Sequence, residues 1–168
     1  MKPDRLPAPA YAAATRLAVA AAAVGSLLLA SAVQVQAQTP TPADPLAAAA
    51  AEKGAVVTSS GLVYRALAEG KGESPAPADT VRVHYRGRFP DGREFDSSYS
   101  RGQPATFPLN RVIRCWTEGV QRMKVGGKAK LTCPAAIAYG ERGAGAVIPP
   151  NAVLQFEVEL LGVAKAPN

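Results

Sequence analysis

The residues that most often carry metal or nucleophilic chemistry are few in this sequence. It contains one histidine, His84, and two cysteines, Cys115 and Cys133. Structural zinc sites use about four cysteine and histidine ligands, so this inventory excludes zinc fingers and histidine-rich metal cages. His84 alternates with arginines on a predicted strand, which indicates a surface residue. No Gly-x-Ser-x-Gly motif supplies a nucleophile for it. We therefore expect neither a metal site nor a nucleophilic triad.

The glycine-rich stretches and the positive charge do not indicate nucleotide chemistry. Neither Gly70-Lys71-Gly72 nor the segment 140–145 ends in the Gly-Lys-Ser/Thr of a phosphate loop. The net charge of +6 by itself leaves anionic partners open. However, the basic residues are scattered among acidic ones, and no basic stripe carries stacking aromatics. We expect no cofactor and no nucleic-acid partner.

A set of aromatic and branched aliphatic residues adjoins segments rich in glycine or proline. The set comprises Phe95 with Asp96 beside it, Phe107, Val112, Ile113, Trp116, Tyr139, Ile148 and Phe156. Periodicity alone does not distinguish a pocket lining from ordinary core. An apolar pocket with a few polar groups suits binding of an apolar ligand or a peptide side chain better than it suits bond breaking.

Alternating apolar and polar residues predict the strands that must position this set. We expect strands within residues 62–67, 81–86, 107–109, 129–133 and 154–160. Trp116, Val120 and Met123 recur at helical spacing and predict one short helix, which ends by Gly126-Gly127. Several antiparallel strands around one short helix indicate an α+β domain.

The first 37 residues have the pattern of a secretory signal peptide. Lys2, Arg5 and Arg16 precede an apolar run over residues 17–33, and Val35-x-Ala37 provides a cleavage site. Cleavage there would lower the net charge to +4. The alternative is an inner-membrane anchor through residues 17–33, because the run nearly reaches the length of a spanning helix.

The rest of the chain divides into a linker, one domain and a short tail. Residues 38–55, rich in proline and alanine, are interpreted as a tether in which the alanines form at most one or two helical turns. Nine of the ten aromatic residues lie between Tyr64 and Phe156, which places the folded domain at residues 56–163. Residues 164–168 form a tail.

Over residues 58–163 the chain resembles the FKBP-type peptidyl-prolyl cis-trans isomerases, because six short motifs occur in that family's order. They are Val83-His84-Tyr85-x-Gly87 with Asp91-Gly92-x-x-Phe95-Asp96-Ser97-Ser98, Val112-Ile113-x-x-Trp116-x-Glu118-Gly119, Met123-x-x-Gly126, Ala138-Tyr139-Gly140, Ile148-Pro149-Pro150-Asn151, and Leu154-x-Phe156-x-Val158-Glu159-Leu160-Leu161. The resemblance implies a bent antiparallel β-sheet of five to six strands wrapped around one short α-helix.

The resemblance also implies an activity that needs no nucleophile. Rotation about an X-Pro peptide bond breaks no covalent bond, yet its barrier is about 18–20 kcal/mol. We therefore expect an isomerase that acts on X-Pro bonds in exported proteins and assists their folding. The alternative is a module or holdase chaperone that binds proline-containing segments without catalysis.

The family's site residues transfer to matching positions here. Trp116 corresponds to the pocket floor, and the Tyr139 hydroxyl and the Ile113 N–H correspond to donors to substrate carbonyls. Asp96 is the polar partner, expected to bond with Tyr85 or Arg101. The catalytic candidates are Tyr85, Phe95, Asp96, Ile113, Trp116, Tyr139 and Phe156, and the substrate-binding candidates are Arg101, Phe107, Val112, Val147 and Ile148.

Partners and location follow from the same resemblance. We expect proline-containing polypeptides as substrates, tacrolimus-type macrolides as inhibitors, and a periplasmic or secreted protein. No stable membrane insertion is expected once the signal is cleaved. We expect a monomer, because relatives that dimerise use long helical amino-terminal domains. The chain departs from the family at Ala105, where many members have a pocket-edge Phe, at Ala144, where some have His, and at Cys115, which replaces a Gly.

The two cysteines leave two alternatives open. In an oxidising compartment Cys115, at the helix start, and Cys133, at a strand end, can form a disulfide that ties the pocket floor to the sheet. The alternative is two buried thiols, because Cys133 lies at a core-facing strand position.

Overall fold

The computed structural model describes residues 44–167. The predicted signal peptide at 1–37, the alternative anchor at 17–33 and residues 38–43 of the predicted tether lie outside the described residues. Among the helices of the described part, none is long and apolar enough to cross a membrane.

Seven antiparallel strands form one sheet in the described part of the chain. They are β1 (Ala55–Val57), β2 (Val63–Ala68), β3 (Thr80–Arg88), β4 (Glu94–Ser97), β5 (Ala105–Pro108), β6 (Lys128–Cys133) and β7 (Leu154–Ala164). Their order is β1-β2-β6-β7-β3-β4, and β5 pairs with β3 as well. The α+β class is confirmed, and the sheet has more than the five to six strands predicted. The strands β1 and β4 were not predicted, because β1 has only three residues and β4 carries two acidic residues among its four.

Within residues 44–167, two α-helices accompany the sheet. The helix α1 spans Pro45–Ala50, and α2 spans Arg114–Gln121. Cys115, Trp116, Gly119 and Val120 are buried, which places them on the inner face of α2 at the predicted helical spacing. The helix ends several residues before Gly126-Gly127. The connecting loops of the described chain contain three 3-10 turns, Leu109–Arg111, Ala135–Ile137 and Gly140–Arg142.

The folded part begins before the predicted boundary at residue 56. Asp44 caps α1 by accepting a hydrogen bond from the Leu46 N–H at 3.0 Å, and Ala49 is buried. Glu52 then accepts a hydrogen bond from Lys130 Nζ at 2.6 Å and pairs with Arg65. Residues 45–55 therefore lie against the sheet rather than acting as a solvated tether. A run of alanines gives a weak hydrophobic signal, and the anchoring ion pairs join residues distant in sequence.

The start of the predicted tail is also held in place. The strand β7 continues to Ala164, beyond the predicted domain end at residue 163. Asp79, which is buried, accepts hydrogen bonds from Lys165 Nζ and from the Ala166 N–H, both at 3.1 Å. The tail is thereby attached to the segment that precedes β3.

The core lies between α2 and one face of the sheet. Leu131, Val158 and Leu160, interpreted as core from their alternation, are fully buried. Gly119 allows the close approach of α2 to β6, because a Cβ there would lie 2.7 Å from a Leu131 methyl group. Near the start of α2, a disulfide joins Cys115 to Cys133, with their Cα atoms 5.8 Å apart.

Candidate active site

A cleft of about 340 Å³ opens at the amino-terminal end of α2. Ten residues line it: Tyr85, Phe95, Asp96, Phe107, Arg111, Val112, Ile113, Trp116, Tyr139 and Phe156. All seven catalytic candidates are among them, and so are the substrate-binding candidates Phe107 and Val112. The fold therefore brings together in one concave surface residues that are up to 71 positions apart in sequence.

Trp116 is held by the edges and faces of three other rings. Its ring centroid lies 5.2 Å from that of Tyr85, 5.7 Å from that of Phe107 and 5.4 Å from that of Phe156, each at close to a right angle. Such edge-to-face pairs contribute about 0.5–1.5 kcal/mol each beyond burial. The indole is only 4% exposed, and its N–H has no hydrogen-bond partner among the described residues. Trp116 thus provides a fixed apolar surface, and its buried indole N–H is a donor without a partner among the described residues.

Gly87 allows one wall of the cleft to form. It follows Tyr85 by two residues on β3, and a Cβ at this position would lie 2.6 Å from two atoms of the Phe95 ring. Phe95 can therefore lie against the strand and make an edge-to-face contact with Phe156 at 5.6 Å. The sequence shows Gly87 as part of the family motif, but it does not show the packing of the Phe95 ring that requires a glycine there.

A polar cluster of Tyr85, Asp96 and Arg101 borders the apolar surface. The Tyr85 hydroxyl donates to Asp96, and Arg101 donates through Nη1 to the same carboxylate. Arg101 also donates through Nη2 to the Tyr85 hydroxyl oxygen at 2.8 Å. Asp96 therefore bonds with both of the partners considered from the sequence.

The cluster keeps Asp96 ionised. Partial burial acts to raise the pKa of Asp96, but the hydrogen bonds from Tyr85 and Arg101 and the Arg101 charge outweigh it and lower the pKa. Burial, together with the hydrogen bond to Asp96, raises the pKa of the Tyr85 hydroxyl. The cleft therefore presents a charged carboxylate and a neutral phenol at neutral pH.

Two loops supply the remaining groups of the cleft. The Ile113 carbonyl accepts hydrogen bonds from the Trp116 and Thr117 N–H groups at 2.9 and 3.1 Å, which fixes Ile113 at the start of α2. Tyr139, 41% exposed, precedes a turn that is pinned by a hydrogen bond from the Asn151 N–H to the Gly140 carbonyl at 2.9 Å. The Tyr139 ring is thus at the cleft's accessible side.

Three substrate-binding candidates lie outside the lining. Arg101 contacts two lining residues as described, Ile148 is buried in the core, and Val147 is 57% exposed on the loop that precedes it. Arg111 lines the cleft but was not predicted. The only sequence signal was its position directly before Val112-Ile113. Among the described residues no cluster of histidine, cysteine and acidic side chains could hold a metal ion.

Comparison with known proteins gives a consistent assignment. The family signature of the FKBP-type peptidyl-prolyl cis-trans isomerases matches residues 71–161. The chain is 56% identical over 120 residues to the FKBP-type isomerase FkpA of Aeromonas hydrophila. This match covers 71% of this chain and 44% of that protein. The chain spans about half the length of the curated relatives it matches.

Solved structures agree with the sequence comparison. The crystal structure of FkpA from Escherichia coli superposes with a TM-score of 0.71 at 51% identity, covering 73% of this chain and 57% of that one. A peptidyl-prolyl isomerase from Pseudomonas syringae gives a TM-score of 0.68 at 39% identity, covering 72% and 89%. With the sheet, the aromatic cleft and the signature in agreement, the chain belongs to the FKBP-type peptidyl-prolyl cis-trans isomerases.

Proposed function

We propose that the cleft catalyses cis-trans isomerisation of X-Pro peptide bonds. The observation that carries the proposal is the apolar surface of Trp116, enclosed by three aromatic rings and bordered by fixed polar groups. The planar peptide bond is stabilised by charge separation, which water favours. A dry cleft removes that stabilisation from the ground state and binds the twisted geometry better than the planar one.

Different residues of the cleft contribute to different parts of this catalysis. The prolyl ring stacks on Trp116 between Phe95, Phe107 and Phe156. The Tyr139 hydroxyl and the Ile113 N–H donate to the carbonyl groups on either side of the rotating bond. The polar cluster of Tyr85, Asp96 and Arg101 sets the local field. Val147 and Ile148 extend the contact with the substrate along the loop beyond Tyr139.

A protease-coupled assay on a short Ala-Leu-Pro-Phe peptide tests the proposal. We expect a rate above the uncatalysed background, and we expect Tyr139→Phe and Asp96→Ala to lower kcat/KM about tenfold, which corresponds to about 1.4 kcal/mol. Tyr99→Phe is the matched control, because Tyr99 is similarly exposed at 38% and bonds to Glu159 away from the cleft. A wild-type protein that binds proline peptides but gives no rate would overturn catalysis and favour the alternative, a binding module or holdase.

We propose that the protein acts after export, in the periplasm or as a secreted protein. The cationic and apolar pattern of the first 37 residues supports this proposal, and so does the disulfide between Cys115 and Cys133, because disulfides persist in oxidising compartments. Sequencing the amino terminus of the mature protein tests it. A start at Gln38 is expected, whereas retention of residues 17–33 would indicate the membrane-anchored alternative.

We further propose proline-containing polypeptides as substrates, tacrolimus-type macrolides as inhibitors, and a monomeric state. The apolar cleft with its few donors supports the ligand classes. Inhibition of the peptide assay by tacrolimus is the expected result. Analytical ultracentrifugation is expected to give the mass of one chain, and a concentration-dependent dimer would contradict the monomer.

A further inference from the structure

Arg111 brings an uncompensated positive charge to the cleft. It lines the cleft, is exposed to solvent, and forms no ion pair with any described residue. The other charged residue of the lining, Asp96, is bonded to Arg101, so those two opposite charges compensate each other.

The nearby backbone adds to the same sign of potential. The helix α2 begins three residues after Arg111, its Ile113 N-cap offers no side-chain acceptor, and its first turn contains no acidic residue. The amino-terminal end of a helix carries a partial positive charge. A substrate entering the cleft therefore meets two positive contributions, one from the Arg111 charge and one from the helix end.

We propose, building on the isomerase function above, that Arg111 determines substrate specificity by favouring X-Pro segments with a carboxylate side chain in one of the two positions before the proline. The incoming carboxylate pairs with Arg111, and a lysine in its place is repelled. Exposed ion pairs are weak, so the preference for Glu over the isosteric Gln is about two- to fivefold. The effect lies mainly in KM, because the pair forms in both ground and transition states.

Acetylated proline peptides that differ only by Glu, Gln or Lys, placed in turn at each of the two positions before the proline, test the proposal. We expect the kcat/KM values of the wild-type protein to fall in the order Glu, Gln, Lys. In Arg111→Gln the Glu-to-Gln ratio is expected to fall to about 1. Arg114→Gln is the matched control, because Arg114 is exposed and close in sequence but does not line the cleft. It should keep the wild-type ratio. In 1 M salt, where the Debye length is about 3 Å, the wild-type preference should also disappear.

Binding measured on the same peptides separates the specificity role of Arg111 from the isomerase activity. The protein has one tryptophan, Trp116, whose fluorescence reports cleft occupancy. Turnover of all peptides with equal Glu and Gln constants would overturn the specificity role and leave the isomerase function standing. A Glu preference in binding without any turnover would support the specificity role and overturn catalysis. An equal preference in Arg111→Gln and the wild type would overturn the assignment to Arg111.

Discussion

Breaking the disulfide between Cys115 and Cys133 should destabilise the domain strongly. Both cysteines are fully buried, and the bond ties the first turn of α2, directly before Trp116, to the end of β6. Its main effect is on the unfolded chain, because the closed loop removes conformations that the reduced chain regains.

The size of the effect follows from the length of that loop. The two cysteines are 18 positions apart. Closing a loop of this length costs the unfolded chain about 3 kcal/mol of entropy at 25 °C. With a urea m-value of about 1–3 kcal/mol/M for a small domain, the unfolding midpoint should fall by about 1–3 M.

Urea unfolding of the oxidised and the reduced protein measures this difference. The buried bond must be reduced in denaturant, after which the midpoint is followed by Trp116 fluorescence with reductant present. Alkylation and mass measurement confirm the number of free thiols in each sample. The variant Cys115→Ala/Cys133→Ala is the control, because its midpoint should not respond to reductant.

Two results would refute the reasoning. A shift below about 1 kcal/mol in a sample with two alkylated thiols would show that loop closure is not what the bond contributes. Two thiols that react without any reductant would show that the cysteines are not bridged in the protein.

Three further predictions concern backbone packing and charge. Gly70→Ala should destabilise the domain by at least about 2 kcal/mol, because the new Cβ would lie 2.2 Å from the Lys124 carbonyl oxygen. Gly162→Ala is the control, because a Cβ there would have open space around it. It should change the unfolding free energy by less than about 0.5 kcal/mol. Gly87→Ala should displace a cleft ring and lower kcat/KM while leaving a folded protein, as near-ultraviolet circular dichroism can check. The pKa of Asp96 is lower in the folded state than in the unfolded one, so its contribution to stability is present above about pH 4 and is lost as the pH falls through the lowered pKa. The difference in unfolding free energy between the wild type and Asp96→Asn should therefore shrink on acidification, and a constant difference would contradict the ionised state.

The parts of the fold that sequence patterns predicted are those with long apolar alternation. The strands β3 and β7 alternate over many residues, and their inward side chains are buried as expected. The helix α2 followed from the spacing of Trp116 and Val120. In contrast, four of the six residues of α1 are alanine, and the segment that follows it is held through Glu52 by Lys130, far along the chain, so no local pattern indicated its packing.

The site was only partly accessible to sequence reasoning. From composition and spacing, Trp116 could equally have been core or cleft, and in the structure it is both almost fully buried and part of the lining. Most of the lining residues were instead predicted as site candidates from the family motifs. Arg111 was not predicted because its role depends on an unpaired charge beside the cleft. The cleft exists only once strands distant in sequence have assembled.

The order of the strands determines when the cleft can exist. The strand β7 lies between β6 and β3, so among the described strands it alone joins the group β1-β2-β6 to the strands paired with β3. It is also the last of the described strands in sequence, and it carries Phe156. During synthesis or translocation, the two groups of strands therefore cannot join into this one sheet until β7 has emerged. The cleft, whose lining includes Phe156, cannot be complete before that strand is in place.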